Sequence, residues 1–203
     1  MPNWCNNYVE LQHEDATMIS RAAEALGRGE FLNEFIPVPA DLKIDAGNVG
    51  AKGSPEQVAH ELKVEQNIAK YGYSDWYAFC VNEWGTKWDL GGENTSATVD
   101  ESGKSLKVSF DSAWSPPIGA YQKLEELGFT VNAYYYEPGM GFAGTYSDGF
   151  DNEYNFSDMT SEEVADTIPG DLDEMFNISA DMAEWEEENE EIDLDGGLSA
   201  TNE

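Results

Sequence analysis

Trp84-Gly85-Thr86-Lys87-Trp88-Asp89 and Ala113-Trp114-Ser115-Pro116-Pro117 hold three of the chain's six tryptophans in eleven residues. Indoles are usually buried, and burial orders the backbone around them. Trp84, Trp88 and Trp114, together with Trp4, are therefore expected to form the structural core of a β-rich unit. Gly85 lets the backbone turn or approach a neighbour closely. Lys87, set between two indoles, is expected to lay its stem on apolar surface and keep its ammonium in water.

Working outward, Asn6 to Gln12 alternates, with Tyr8 and Glu10 on one face and Val9 and Leu11 on the other. This predicts an edge-compatible strand. Asp15 as N-cap and Gly27 as C-cap bracket Met18, Ile19, Ala22, Ala23 and Leu26 at helical spacing. Phe31, Leu32, Phe35, Ile36 and Val38 are apolar, but Pro37 and Pro39 prevent a regular helix, so Glu30 to Ser54 reads as an anchored insertion and then a loop. Ser54-Pro55-Glu56-Gln57 starts a helix reaching Lys70, with Val58, Leu62 and Ile68 facing in. Asp75 to Val81 predicts a further helix. Strands are expected at Thr86 to Leu90, Thr95 to Val99 and Leu106 to Phe110, the last two joined by a turn at Glu101-Ser102-Gly103-Lys104. A helix from Pro116-Pro117 carries Tyr121, Leu124 and Leu127 and stops at Gly128. Phe129 to Tyr136 is a strand, and a hairpin turns at Ser147-Asp148-Gly149. Thr160-Ser161-Glu162-Glu163 opens an acidic helical region, in which Ala180 to Glu191 forms a helix with Met182 and Trp185 on its inner side.

The order β-α-(insertion)-β-β-α-β matches the split βαβ, or ferredoxin-like, α+β sandwich, with helices on one face of an antiparallel sheet. Residues 1–156 are expected to be that domain, with an insertion at about 30–75. Residues 157–203 are expected to be an acidic helical extension ending in a disordered tail from Asp193 to Glu203.

Net charge is the strongest functional signal. The chain carries −31, from 41 acids against 10 bases. Lys123 is the last base, and 23 acids follow it uncompensated. Such a balance disfavours contact with nucleic acid or an anionic membrane through a basic face. Met1-Pro2-Asn3-Trp4 shows no basic or apolar leader, so no signal peptide is expected. No apolar run reaches the ~20 residues of a membrane span. A cytoplasmic protein with no membrane partner is the expectation.

Met1-Pro2-Asn3-Trp4-Cys5-Asn6-Asn7, the two tryptophan motifs, Tyr136-Glu137-Pro138-Gly139 and Phe142-Ala143-Gly144 resemble the YubB-like family of plasmid and bacteriophage proteins. The resemblance covers residues 1–156. It implies a ferredoxin-like domain and a mobile-element origin, hence a host-cell cytoplasm. It implies no catalytic residues and does not explain the acidic C-terminal region. "Ferredoxin-like" names the fold alone, since two cysteines cannot hold a four-cysteine iron–sulfur cluster.

No catalytic constellation is present, so the protein is expected not to be an enzyme and to need no metal or cofactor. His13 and His60 read as surface histidines. Cys5, Cys80, His13 and His60 lack the short-spaced ligand pair of a zinc site. Glu191-Ile192-Asp193-Leu194-Asp195-Gly196 only partly follows a calcium loop, with Asn202 at the twelfth position. Trp88, Tyr134 and Tyr136 are candidate stacking platforms for RNA, but stacking normally works inside a positive groove.

The acidic segment suggests DNA mimicry. A helix rises about 1.5 Å per residue, and duplex DNA presents one charge per about 1.7 Å. A helix with an acid at every second residue is comparable in charge density, and Glu184, Glu186, Glu187, Glu188, Glu190 and Glu191 exceed that; with Asp181 they are the candidate partner-binding residues. The expected partner is a basic, nucleic-acid-binding or defence protein of the host, with no direct contact to nucleic acid. A non-mimic protein-interaction module is the alternative, and an RNA-binding ferredoxin-like domain a further one.

Overall fold

A computed structural model describes residues 3–92 and 95–197, with side chains described as far as Asn189. A six-stranded sheet is antiparallel throughout, in the order β2-β3-β1-β4-β5-β6. The strands are β1 (Trp4–Gln12), β2 (Ser96–Val99), β3 (Ser105–Ala113), β4 (Thr130–Glu137), β5 (Phe142–Ser147) and β6 (Phe150–Asn155). β1 is not an edge strand: it pairs with β3 from Trp4 to Gln12 and with β4 from Asn6 to Gln12. Its alternation is that of a central strand with one face buried, and the long connections to β3 and β4 bring partners to both sides.

Period-two burial places Val9 and Leu11 of β1, Leu106, Val108 and Phe110 of β3, and Val131 and Ala133 of β4 in one apolar cluster. Two helices cover it. From α1 (Ala16–Arg28) come Ile19, Ala22, Ala25 and Leu26, and from α5 (Ile118–Glu126) come Ala120, Tyr121 and Leu124. Asp15 caps α1 by accepting from Thr17 N at 2.9 Å. The α1 stop is Gly29, not Gly27: Gly29 takes the left-handed φ of 71° and returns its N–H to Ala25 and Leu26, a capping geometry glycine adopts without strain.

The insertion folds as α2 (Phe31–Phe35), a 3₁₀ turn at Ala40–Leu42 and α3 (Pro55–Tyr71). Helix α3 faces opposite to expectation. Val58, Leu62 and Ile68 are exposed, while Gln57, His60 and Asn67 are buried. Hydrogen bonds decide this orientation. Asn67 Nδ2 donates to the carbonyls of Asp41 and Ser74, both at 3.0 Å, and Gln57 Oε1 accepts from Val49 N at 3.1 Å. These amides satisfy backbone that the loops leave unpaired. His60 is correspondingly a buried histidine, not a surface one.

α4 (Trp76–Phe79) follows and runs into a π turn at Cys80–Trp84, so the expected helix continues to the first tryptophan motif. Residues 86–90 do not form a strand. Side chains stand in for a ladder there. Thr86 Oγ1 donates to Ala113 O and accepts from Ala113 N, both at 3.1 Å, and Ser115 Oγ donates to Gly85 O at 2.7 Å. The two tryptophan motifs do meet, through these bonds. Gly85 is needed at the junction: a Cβ there would lie 3.0 Å from Ile118 N on top of a φ of 85°.

Asp89 ends the first motif by capping α2. Its carboxylate accepts from Leu32 N at 2.6 Å and Asn33 N at 3.0 Å. Burial raises its pKa, against the lowering effect of these N–H groups. Asp89→Ala is expected to cost about 1–2 kcal/mol, the usual penalty for a lost N-cap. Asp89→Asn keeps an acceptor and should cost less. Urea denaturation of the two variants checks the order.

The acidic region packs on the second face of the sheet. α6 (Ser161–Thr167), α7 (Gly170–Phe176) and α8 (Ile178–Gly197) cover β4 to β6. Val164, Ile168, Leu172 and Ile178 form a second buried cluster with Ala143 and Phe156, and Tyr134, Tyr136 and Tyr154 pack against it. Helices therefore lie on both faces, and the extension shares a core with the sheet. Helix α8 continues through Gly197, so Asp193 to Gly197 are helical where a disordered tail was expected; residues 198–203 lie outside the described ones.

Candidate partner-binding site

The α6 start is a full capping box. Thr160 Oγ1 accepts from Glu163 N, and the Glu163 carboxylate accepts from Thr160 N. Helix α8 is then held by its inner side, where Ile178 is buried and Met182 packs into the second cluster. This fixes which residues of α8 face solvent.

Asp181, Glu184, Glu187 and Glu188 are exposed. Glu186 is not part of that free face. It accepts from Ser161 N at 2.9 Å and Ser161 Oγ at 2.6 Å, tying α8 to the α6 start. Those bonds hold its carboxyl below the usual range. The tie is therefore at full strength at neutral pH and is lost as the pH falls through that depressed value. Glu190 and Glu191 lie in α8, but their side chains fall outside the described ones. Trp185 does not face in; it is 66% exposed. Asp181, Glu184, Trp185 and Glu188 follow the i, i+3, i+4, i+7 spacing of one helix face. The result is an acidic stripe with an indole at its centre. The sequence held no signal for this, since Met182 and Trp185 lie three apart and are both apolar.

The second aromatic assembly surrounds Lys87. Its ammonium lies 4.7 Å from the Trp88 ring, 5.3 Å from Trp114 and 5.7 Å from Tyr77. Trp4 leans on Trp88 with centroids 5.8 Å apart. Of the four tryptophans expected in the core, only Trp84 is there, at 4% exposure. Trp4 is 45% exposed, and Trp88 and Trp114 are each 40% exposed. For Trp88 and Trp114 the physical reason is the cation. An ammonium among three rings gains by cation–π attraction while its head stays hydrated, which holds the rings at the surface. Trp114 also adopts a φ of 71°, a region that bulky residues avoid.

The remaining candidates have structural roles. His13 Nδ1 accepts from Asp15 N at 2.9 Å, which leaves Nε2 to carry the proton toward Leu127 O at 3.2 Å. Cys5 and Cys80 are free and buried, and burial pushes both thiols up to about 12. Among the described residues, no three His, Cys, Asp or Glu side chains are grouped to hold a metal. The partial calcium loop begins at Glu191 inside α8, and its helical backbone is not that of a loop. Tyr134 and Tyr136 are not open platforms. Tyr134 donates to Asp171 at 2.8 Å, and Tyr136 packs between Phe156 and Phe176. Among the described residues, no helix is long and apolar enough to cross a membrane.

Fold and site thus define a mixed α+β protein with a six-stranded antiparallel sheet and an acidic helix displayed on it. No known family model matches the chain, and no curated protein matches it. Among solved structures, the crystal structure of protein api92 from Yersinia pseudotuberculosis, described under the family model DUF1281, is similar at a TM-score of 0.40. Identity is 15%, over 76% of this chain and 99% of that one.

Proposed function

We propose that this is a non-enzymatic, cytoplasmic binding protein of a mobile element, which occupies the basic nucleic-acid-binding surface of a host protein as a DNA mimic. The observation that carries this reading is the solvent face of α8. Asp181, Glu184, Glu187 and Glu188 are exposed there with Trp185, in a segment with no base after Lys123. A carboxylate row on a rigid helix presents charge at a spacing near that of a phosphate backbone. An exposed indole supplies the apolar anchor that charge alone lacks, and tryptophan is enriched among the residues that dominate protein interfaces. The β2-β3-β1-β4 portion, with its two connecting helices, supports a ferredoxin-like reading of the scaffold.

The test separates steering from anchoring. The Glu184→Gln, Glu187→Gln, Glu188→Gln triple variant omits Glu186, which holds α6. It should keep the fold and lower the association rate toward a captured partner, on the order of tenfold at low salt. Raising salt should weaken the native protein more than the variant, because exposed charges are screened within about 8 Å at physiological ionic strength. Trp185→Ala should mainly raise the dissociation rate. If both variants bind like the native protein with the same salt dependence, α8 is only a solubilising surface.

A further inference from the structure

A hollow lies beside Trp4 and Trp88. Its volume is about 300 Å³, and Asp89 and Asp111 line it with the two indoles. The ring centroids are 5.8 Å apart with the planes tilted by 39°, so the two indoles form neighbouring aromatic walls. Among the described residues, no basic side chain lines the hollow; Lys87 lines the neighbouring hollow on which Trp88 also borders.

Two carboxylates complete it. Asp111 Oδ1 accepts from Asn6 Nδ2 at 2.7 Å, which orients the group. Its Oδ2 has no partner among the described residues. Asp89 is partly buried, and its oxygens accept only backbone N–H groups, from Leu32, Asn33 and Leu90. It has no cationic partner among the described residues. An aromatic face attracts a cation, and a carboxylate that is in no ion pair adds to that field. Trp88 shows the preference internally, since it already takes the Lys87 ammonium at 4.7 Å.

We infer that this hollow receives an arginine side chain from a protein partner, stacked on the Trp4 and Trp88 walls and bonded to Asp111. A guanidinium fits better than an ammonium for three reasons: it is planar, it sheds water more readily, and its forked donors match a carboxylate. A protein source fits the surroundings, because Tyr77, Trp88, Trp114 and Trp4 are all exposed. A patch rich in Trp and Tyr that takes an Arg has the composition of an interface hot spot. The net charge of −31 draws basic chains toward it. This site does not depend on α8.

The experiment titrates the intact protein with three blocked tripeptides, Gly-Arg-Gly, Gly-Lys-Gly and Gly-citrulline-Gly, and follows the indole N–H signals by NMR. The arginine peptide should shift the Trp4 and Trp88 signals saturably. The lysine peptide should bind several-fold more weakly, and the uncharged citrulline peptide should not bind. Asp111→Asn and Trp4→Ala, both at exposed positions, should each weaken arginine-peptide binding about tenfold. The Glu184→Gln, Glu187→Gln, Glu188→Gln variant should leave it unchanged, which separates this site from the α8 reading. Equal binding of the lysine and arginine peptides, or binding indifferent to Asp111→Asn, would reduce the effect to general charge attraction and overturn the proposal. So would the lack of any saturable shift, and so would free arginine amide saturating the site while no arginine-bearing peptide does, since the source would then be a small molecule.

Discussion

Trp84→Ala is expected to lower stability by about 3–5 kcal/mol, the range for removing a large buried aromatic. Trp84 is 4% exposed and packs edge-on against Phe79 with centroids 6.4 Å apart. Its Nε1–H donates to Ile36 O at 2.9 Å, across 48 positions of chain, in a fully buried bond. Truncation opens a cavity and also orphans that carbonyl, which has its own cost of about 1–3 kcal/mol. Trp84→Phe should fall between the two, because it fills most of the volume but cannot donate. Trp88→Ala is the contrast. The ring is 40% exposed and stacks on Lys87 and Trp4, so its removal should cost roughly 1 kcal/mol or less. Urea midpoints at constant m-value measure all three. Equal losses at Trp84 and Trp88 would mean that the surface assembly is as structural as the core.

Ending the chain after residue 158 should unfold or aggregate the protein, not trim it. Val164, Ile168, Leu172 and Ile178 would leave the second face of the sheet, uncovering Ala143, Tyr136 and Phe156. Each aliphatic side chain taken back out of a core loses about 1.5–3 kcal/mol as an upper estimate. Summed over these four side chains, about 6–12 kcal/mol is comparable to the whole stability of a typical domain, about 5–15 kcal/mol. In a chain of this size, a loss of several kcal/mol lowers Tm by about 10 °C or more. The freed aromatic face is also a large exposed apolar patch, which promotes association. Thermal scans and dye binding to exposed apolar surface would show it. A truncated chain that stays monomeric with an unchanged Tm would make α6 to α8 a dispensable appendage. The glutamine variant on α8 is therefore the cleaner probe of the acidic face, since it leaves the second cluster intact.

Local chemistry was legible wherever a pattern answers to its own neighbours in sequence. Asp15, Ser54 and Thr160 each cap the helix they precede. The turn at Ser147-Asp148-Gly149 takes the positive φ of 50° at Asp148 and 79° at Gly149 that a tight hairpin demands. The alternation of β1 separated the buried Val9 and Leu11 from the half-buried Tyr8 and Glu10. Those features depend on the backbone period and on capping.

Tertiary structure alone decided which apolar residues stay outside. Val58, Leu62 and Ile68 have the spacing of an inner face, yet Gln57 and Asn67 turn inward because loop carbonyls and N–H groups need partners there. Trp88 and Trp114 have the bulk of core residues, yet the Lys87 ammonium holds them at the surface. Trp185 has the hydropathy to anchor α8, but Met182 and Ile178 already do so. In each case burial depends on what a distant segment brings to the same place, whether an unpaired backbone group, a cation or a competing side chain. A hydrophobic pattern records how apolar a residue is; it holds no record of which remote polar group will claim the interior instead.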